Sequence, residues 1–250
     1  IHQTKKDLEF AASSTNVDTD FLKNYFRLED DLLNVYSQIA KDGHVREAIK
    51  RFRGLRLVRQ EPWECLISFL CATYKNVPAI KQMIFNICRK FGDAVEFRGE
   101  TFYTFPPPHV LAKTSSEQLR TCKLGFRAER VLNAARLVNS GKCDLESLKT
   151  KPYEVAKEEL MRLPGVGHKV ADCVLLFSLD RLEAFPIDVW MRRVILRYYS
   201  EFFEHEFVSR VESGSALAPR DYRVISSFGR RYFGDFVGYA QEYLYHYERC

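Results

Sequence analysis

The stretch "LPGVGHKVADCVLLFSLDRLEAFPIDVWMRRV", residues 163–194, decides how this chain folds on paper. A helical pattern runs up to Leu163, Pro164-Gly165-Val166-Gly167 interrupts it, and a second helix starts near Lys169. Two glycines one residue apart let a backbone turn sharply and approach another surface closely. The helix that follows offers unpaired N–H groups at the positive end of its dipole. Such a hairpin is an anion cradle, and phosphate is its natural guest. On those four residues alone, a plain connection between two packed helices accounts for the sequence equally well.

Outward from the hairpin, apolar positions at three-and-four spacing recur in residues 30–40, 62–73, 77–91, 128–138, 152–163 and 170–179, so the chain reads as mainly α. Pro62, Pro78 and Pro152 suit first helical turns, and Ser115 with Gln118 makes a capping box. Strand signals are confined to the alternating residues 1–10, which read as a single strand lacking its sheet, and to "TFYTF" at 101–105. "PPP" at 106–108 and "SRVESGSALAP" at 209–219 read as loops, the second being the longest and most flexible.

The 250 residues, 46% hydrophobic and 14% aromatic, suffice for one large domain or two interleaved ones with a well-buried core. Lys and Arg outnumber Asp and Glu by 38 to 33, a formal charge of +5 that is compatible with a polyanion partner without requiring one. The seven cysteines are an odd number, and several sit in apolar runs such as "CLISFLC", where a thiol acts as a small buried hydrophobe. A reducing, intracellular compartment follows. No CxxC pair and no His cluster is present, which argues against a zinc site, an iron-sulfur loop and metal catalysis. The longest apolar runs fall short of the roughly 20 residues a membrane span needs, and no signal peptide opens the chain. A first residue of Ile1, not Met, reads as a fragment or a trimmed start.

The company of the hairpin weighs against a mere connector. Lys169 stands two residues past Gly167, and Asp188 follows nineteen residues later in Pro186-Ile187-Asp188. In these residues the sequence resembles the helix-hairpin-helix DNA glycosylases, most closely their 8-oxoguanine branch. The likeness extends from "QTKKDLEF" at 3–10 through "FRGLRLVRQEPWECLISFLC" at 52–71 and "LRTCKLGFRAERV" at 119–131 to "FVGYAQEYLYHYE" at 236–248. Its specific part is "LPGVGHKVADC" with "PIDV". The implied fold is mainly α, with two interleaved helical subdomains: residues 16–61 with 163–250 carry the hairpin and Asp188, and residues 62–162 form a helical bundle. Residues 1–15 would be the remnant of an amino-terminal β domain.

Within this resemblance Lys169 is the expected nucleophile, because an amine can attack the anomeric carbon, expel the base and leave a Schiff base through which the 3′-phosphate is eliminated. The positive helix start and burial would both favour its neutral form. Asp188 would stabilise positive charge developing on the sugar and help move protons, although an Asp at this point is also a good helix N-cap. Chemistry on a base requires its extrusion into a slot. Cys173, four residues after Lys169, suits one wall; Gln241 and Tyr245, four apart, suit an amide for the Watson–Crick edge and a ring for the other face. The family holds Cys, Gln and Phe at these positions.

The resemblance also aligns Phe126 with the wedge that fills the space left by the flipped base, Arg127 with the arginine beside it, and the amides of Gly165, Gly167 and Val170 with a phosphate contact. Departures are equally plain. Tyr74, Lys75 and Asn76 stand where the family has a run of asparagines, Ala79 replaces an arginine that reads the opposite base, and Trp190 replaces a phosphate-contacting histidine. Weak discrimination of the opposite base is therefore expected. The family's lesion-reading carbonyl lies upstream of Ile1, so a chain without it would select 8-oxoguanine poorly. The expected protein is an intracellular, monomeric, metal-independent glycosylase and lyase acting on double-stranded DNA, with no required cofactor, no iron-sulfur cluster and a structural monovalent cation at the hairpin. The rivals are a glycosylase for another lesion and a non-catalytic DNA-binding module.

Overall fold

The computed structural model describes residues 1–4, 8–12 and 18–250. It opens on two short antiparallel strands, β1 (His2–Gln3) and β2 (Leu8–Glu9), with His2 opposite Glu9. The single strand expected over residues 1–10 is therefore a folded-back pair, which gives its backbone groups partners within the same ten residues. Residues 5–7 of that strand, and residues 13–15 of the β remnant expected over 1–15, lie outside the described residues.

Helices α1 (Thr19–Tyr25), α2 (Leu32–Ile39) and α3 (Gly43–Arg51) each start at an aspartate, Asp18, Asp31 and Asp42, whose carboxylate accepts first-turn N–H groups. Pro62 opens α4 (Pro62–Ala72), and Asn76 caps α5 (Val77–Phe91). The sequence pattern found only half of the next sheet: β3 (Ala94–Phe97) pairs antiparallel with β4 (Glu100–Tyr103). Arg98 and Gly99 between them have φ of +53° and +80°, the conformation a two-residue hairpin turn needs. Then come α6 (Pro108–Ala112), α7 (Ser116–Arg120) with its Ser115/Gln118 capping box, α8 (Arg127–Asn139) and α9 (Tyr153–Met161).

The remaining helices are α10 (His168–Ser178), α11 (Val189–Tyr198), α12 (His205–Ser213), α13 (Pro219–Phe233) and α14 (Val237–Arg249). The long loop expected at 209–219 shrinks to residues 214–218. Its first half continues α12, because Phe207 and Val211 lie four apart and are both buried, and Arg210 reaches the Asp221 carboxylate at 3.0 Å.

Nearly every residue of α10 is buried, as befits the central helix of a fold. It packs on α4 and α9, while α14 packs on α3 and α11, and α8 on α6 and α7. One continuous hydrophobic core includes side chains from all of these helices. The start of α10, the approach to α11 and one face of α14 thus converge beside α4.

Candidate active site

Gly165 has φ of +87°, a left-handed conformation that disfavours any side chain, and a Cβ there would meet the Arg130 side chain at 2.3 Å. The turn is closed by Val166 N–H donating to the Leu163 carbonyl at 3.0 Å. Gly167 differs: its backbone is ordinary, and a Cβ would meet nothing within 4 Å, so its service is to leave the space in front of α10 open. As N-cap it brings no side-chain acceptor to the first-turn amides, which include that of Val170. Val170's side chain is buried.

Just inside that helix start, Lys169, Cys173, Asp188, Gln241 and Tyr245 line one cavity of about 190 Å³. The structure therefore brings together every side chain expected of the catalytic centre and base slot. Phe69, Phe177, Pro186 and Glu242 complete the lining. Lys169 Nζ rests 4.9 Å from the centroid of the Phe69 ring, and Phe69 stacks on Phe177 at 5.7 Å. Neither phenylalanine was singled out, because each belongs to an apolar helical run indistinguishable from core. Asp188 Oδ1 accepts from the N–H groups of Trp190 and Met191, both at 2.9 Å, so the expected capping role is present.

Cys173 is 3% exposed, and burial pushes its thiol up to about 12 despite the opposing Lys169 charge; Asp172, Glu242 and Asp188 push the same way as burial. It is a neutral apolar wall. Tyr245, opposite in role, is raised chiefly by burial, with Arg249 lowering it and Asp188 and Glu242 raising it. Gln241 is 4% exposed, yet its Oε1 has no hydrogen-bond partner. A buried, unsatisfied carbonyl is costly by about 1–3 kcal/mol unless something arrives to donate to it.

Behind the slot lies a buried polar knot that no motif or spacing announces. Asp172, fully buried, accepts from Tyr153 Oη at 2.6 Å, Tyr222 Oη at 2.6 Å and Lys157 Nζ at 2.8 Å. The same Tyr222 hydroxyl accepts from the N–H of Ile187 at 3.2 Å. One oxygen therefore joins the helix of Lys169 to the residue before Asp188.

The remaining expected residues lie outside the cavity lining. Phe126 is 53% exposed, as a wedge must be, with the guanidinium carbons of Arg127 and Arg130 at 4.3 and 4.9 Å from its ring centroid. Arg127 itself is 3% exposed, and its guanidinium donates to the carbonyls of Thr73 and Leu124. It ties the wedge loop to the loop carrying Tyr74, whose ring is 86% exposed at a φ of +54°. Asn76 Oδ1 accepts from the N–H of Ala79 at 3.0 Å as the cap of α5. The Trp190 ring, in the first turn of α11, lies 4.7 Å from the Arg193 guanidinium carbon. Arg130, missed in the sequence, pairs with no carboxylate among the described residues and joins the wedge to Gly165.

A glycine hairpin opening a central helix, a lysine in its first turn and a capping aspartate across a small aromatic slot together define a helix-hairpin-helix DNA glycosylase. The model of the 8-oxoguanine DNA glycosylase N-terminal domain matches residues 1–66. A probable N-glycosylase/DNA lyase of Methanothermobacter thermautotrophicus is 32% identical over 244 residues, 90% of this chain and 72% of that relative. The N-glycosylase/DNA lyase of Saccharomyces cerevisiae is 33% identical over 208 residues, 77% of this chain but 55% of that relative. The 8-oxoguanine glycosylase/lyase of Clostridium acetobutylicum, solved with double-stranded DNA carrying cytosine opposite 8-oxoguanine, superposes with a TM-score of 0.82 at 30% identity over 94% of this chain and 77% of that one. The chain belongs to the 8-oxoguanine DNA glycosylase family, the N-glycosylase/DNA lyases.

Among the described residues, no helix is long and apolar enough to cross a membrane, and no group of three His, Cys, Asp or Glu side chains is set to hold a metal ion.

Proposed function

We propose that this chain excises 8-oxoguanine from double-stranded DNA inside the cell, as a monomer, and then cleaves the strand. The carrying observation is the convergence of Lys169, Asp188, Cys173, Gln241 and Tyr245 on one cavity behind an open hairpin. The flipped base enters between the Cys173 thiol and the Tyr245 ring, with its edge on Gln241. Once its ammonium proton has been lost, the Lys169 amine attacks the anomeric carbon as the bond to the base breaks; the base departs with the electron pair and takes up the proton that the newly bonded nitrogen releases. Asp188 offsets the positive charge that builds on the sugar. Ring opening gives an imine on Lys169; loss of a proton from C2′ then expels the 3′-phosphate, and water releases the lysine. The hairpin amides of Gly165, Gly167 and Val170 hold a phosphate beside the lesion.

Residues 163–168 contain no acid, so the hairpin's donors for a cation are neutral carbonyls. Those suit a weakly demanding monovalent ion more than a divalent one, and it would brace the hairpin without entering the chemistry.

Opposite-base preference is relaxed in this reading. Ala79 has no side-chain donor, Asn76 is held in place by its amide oxygen capping α5 and Arg127 serves as a strut, while the exposed Tyr74 ring stacks on any base. Borohydride trapping on a duplex containing 8-oxoguanine tests the main reading: a covalent adduct is expected with the native protein and none with Lys169→Gln. An equal adduct in the variant, or none in the native protein, sinks the lyase mechanism. In the same duplexes, excision opposite each of the four bases should differ by less than about a hundredfold, or ~2.7 kcal/mol; a larger preference for cytosine contradicts the relaxed reading.

A further inference from the structure

Glu242 has no role in the mechanism above, yet it lines the base slot next to Gln241. Its side chain is 16% exposed, and among the described residues the one basic side chain within 4.0 Å of it is that of His246, with Nε2 at 3.5 Å. Its charge reaches both walls, since it contributes to the raised thiol of Cys173 and the raised hydroxyl of Tyr245. A carboxylate-bearing residue and a buried, partnerless amide carbonyl thus line the same cavity, and both are acceptors for whatever enters.

Guanine's edge has the complementary pattern. It offers N1–H and the exocyclic N2 amine as adjacent donors, with O6 as an acceptor beside them. Hypoxanthine lacks the amine, and adenine presents an acceptor at N1. We infer that Glu242 reads the exocyclic amine of the flipped purine while Gln241 Oε1 accepts from N1–H, so that the slot selects 2-amino-6-oxopurines. The inference rests on the proposed base slot and adds its second reader. A site built to accept an N–H rejects the analogue without it, because its acceptor is then left desolvated and unpaired.

Single-turnover excision of 8-oxoguanine and of 8-oxohypoxanthine, its 2-deamino counterpart, in the same duplex separates the two. The native protein should favour 8-oxoguanine by about 30-fold. Glu242→Leu should bring the two substrates within about threefold, by slowing 8-oxoguanine rather than by speeding the analogue, and Glu242→Gln should lie between. Because the readout is a ratio within one protein, partial misfolding lowers both rates and leaves it unchanged. A native ratio below about threefold, or an undiminished ratio in Glu242→Leu, overturns the inference. A native protein that excises neither base fails at the proposed function instead.

Discussion

Asp188 holds two jobs that one substitution can separate. Its Oδ1 alone accepts both first-turn N–H groups of α11, and an asparagine presents the same oxygen without the charge. Asp188→Asn should therefore keep its stability within about 0.5 kcal/mol and lose excision by at least about a hundredfold, whereas Asp188→Ala should also lose ~1 kcal/mol of stability. Urea unfolding beside single-turnover excision reads both; equal destabilisation of the two variants would mean that the charge itself supports the helix. At this scale the sequence was informative wherever partners lie on one helix. Lys169 with Cys173, and Gln241 with Tyr245, are four apart and share a face. Phe69, Glu242 and Arg130 were not legible, since their importance comes from elements distant in the chain that bring them to the slot or the hairpin.

Elements meet at the Asp172 knot. Tyr222 arrives from α13, Tyr153 and Lys157 from α9 and Asp172 from α10, and the tyrosine hydroxyl also takes the Ile187 N–H just before α11. The nucleophile and the carboxylate are thus held to one another through a single atom. Tyr222→Phe removes that atom, leaves a buried N–H without its partner and should cost ~1–3 kcal/mol in stability. Excision should slow by about tenfold or more while affinity for lesion DNA stays within about twofold, as expected when reacting groups are displaced and the binding face is not. Equal losses in rate and affinity would mark the knot as structural only. Helix positions followed from periodicity and capping residues, as at Asn76 and Ser115. The β3 strand did not, because "AVEF" is too short to show alternation, and α12 was hidden by the polar residues on its exposed side.

For the molecule as a whole, burial leaves a signature in its titration. The hydroxyls of Tyr153, Tyr199, Tyr222, Tyr239 and Tyr243 are all raised, first by burial and then by neighbouring acceptors or, for Tyr243, by Tyr36. Below their ordinary value of 10.0 they are protonated whether the chain is folded or not, and stability is unaffected. Above it, the unfolded chain sheds protons that the folded chain must keep, so stability falls by up to ~1.4 kcal/mol per pH unit for each tyrosine. The buried thiols of Cys65 and Cys173 begin the same decline from their ordinary 9.0. Denaturation midpoints should be flat between about pH 7.5 and pH 9 and drop steeply beyond pH 10; a flat profile to pH 11 would contradict the burial of these groups.

The Cys173 wall has one more consequence. A glycosylase of this kind is needed most when peroxide is abundant, and peroxide attacks thiolates in proportion to their ionisation and accessibility. Held neutral by burial, Cys173 offers almost no thiolate even to a peroxide that reaches the cavity it lines, so the pocket keeps its soft surface under the conditions that create its substrate. Cys250, the exposed cysteine, should be the first to oxidise. Mass spectrometry of peroxide-treated protein should find Cys250 modified while Cys173 and the excision rate are preserved.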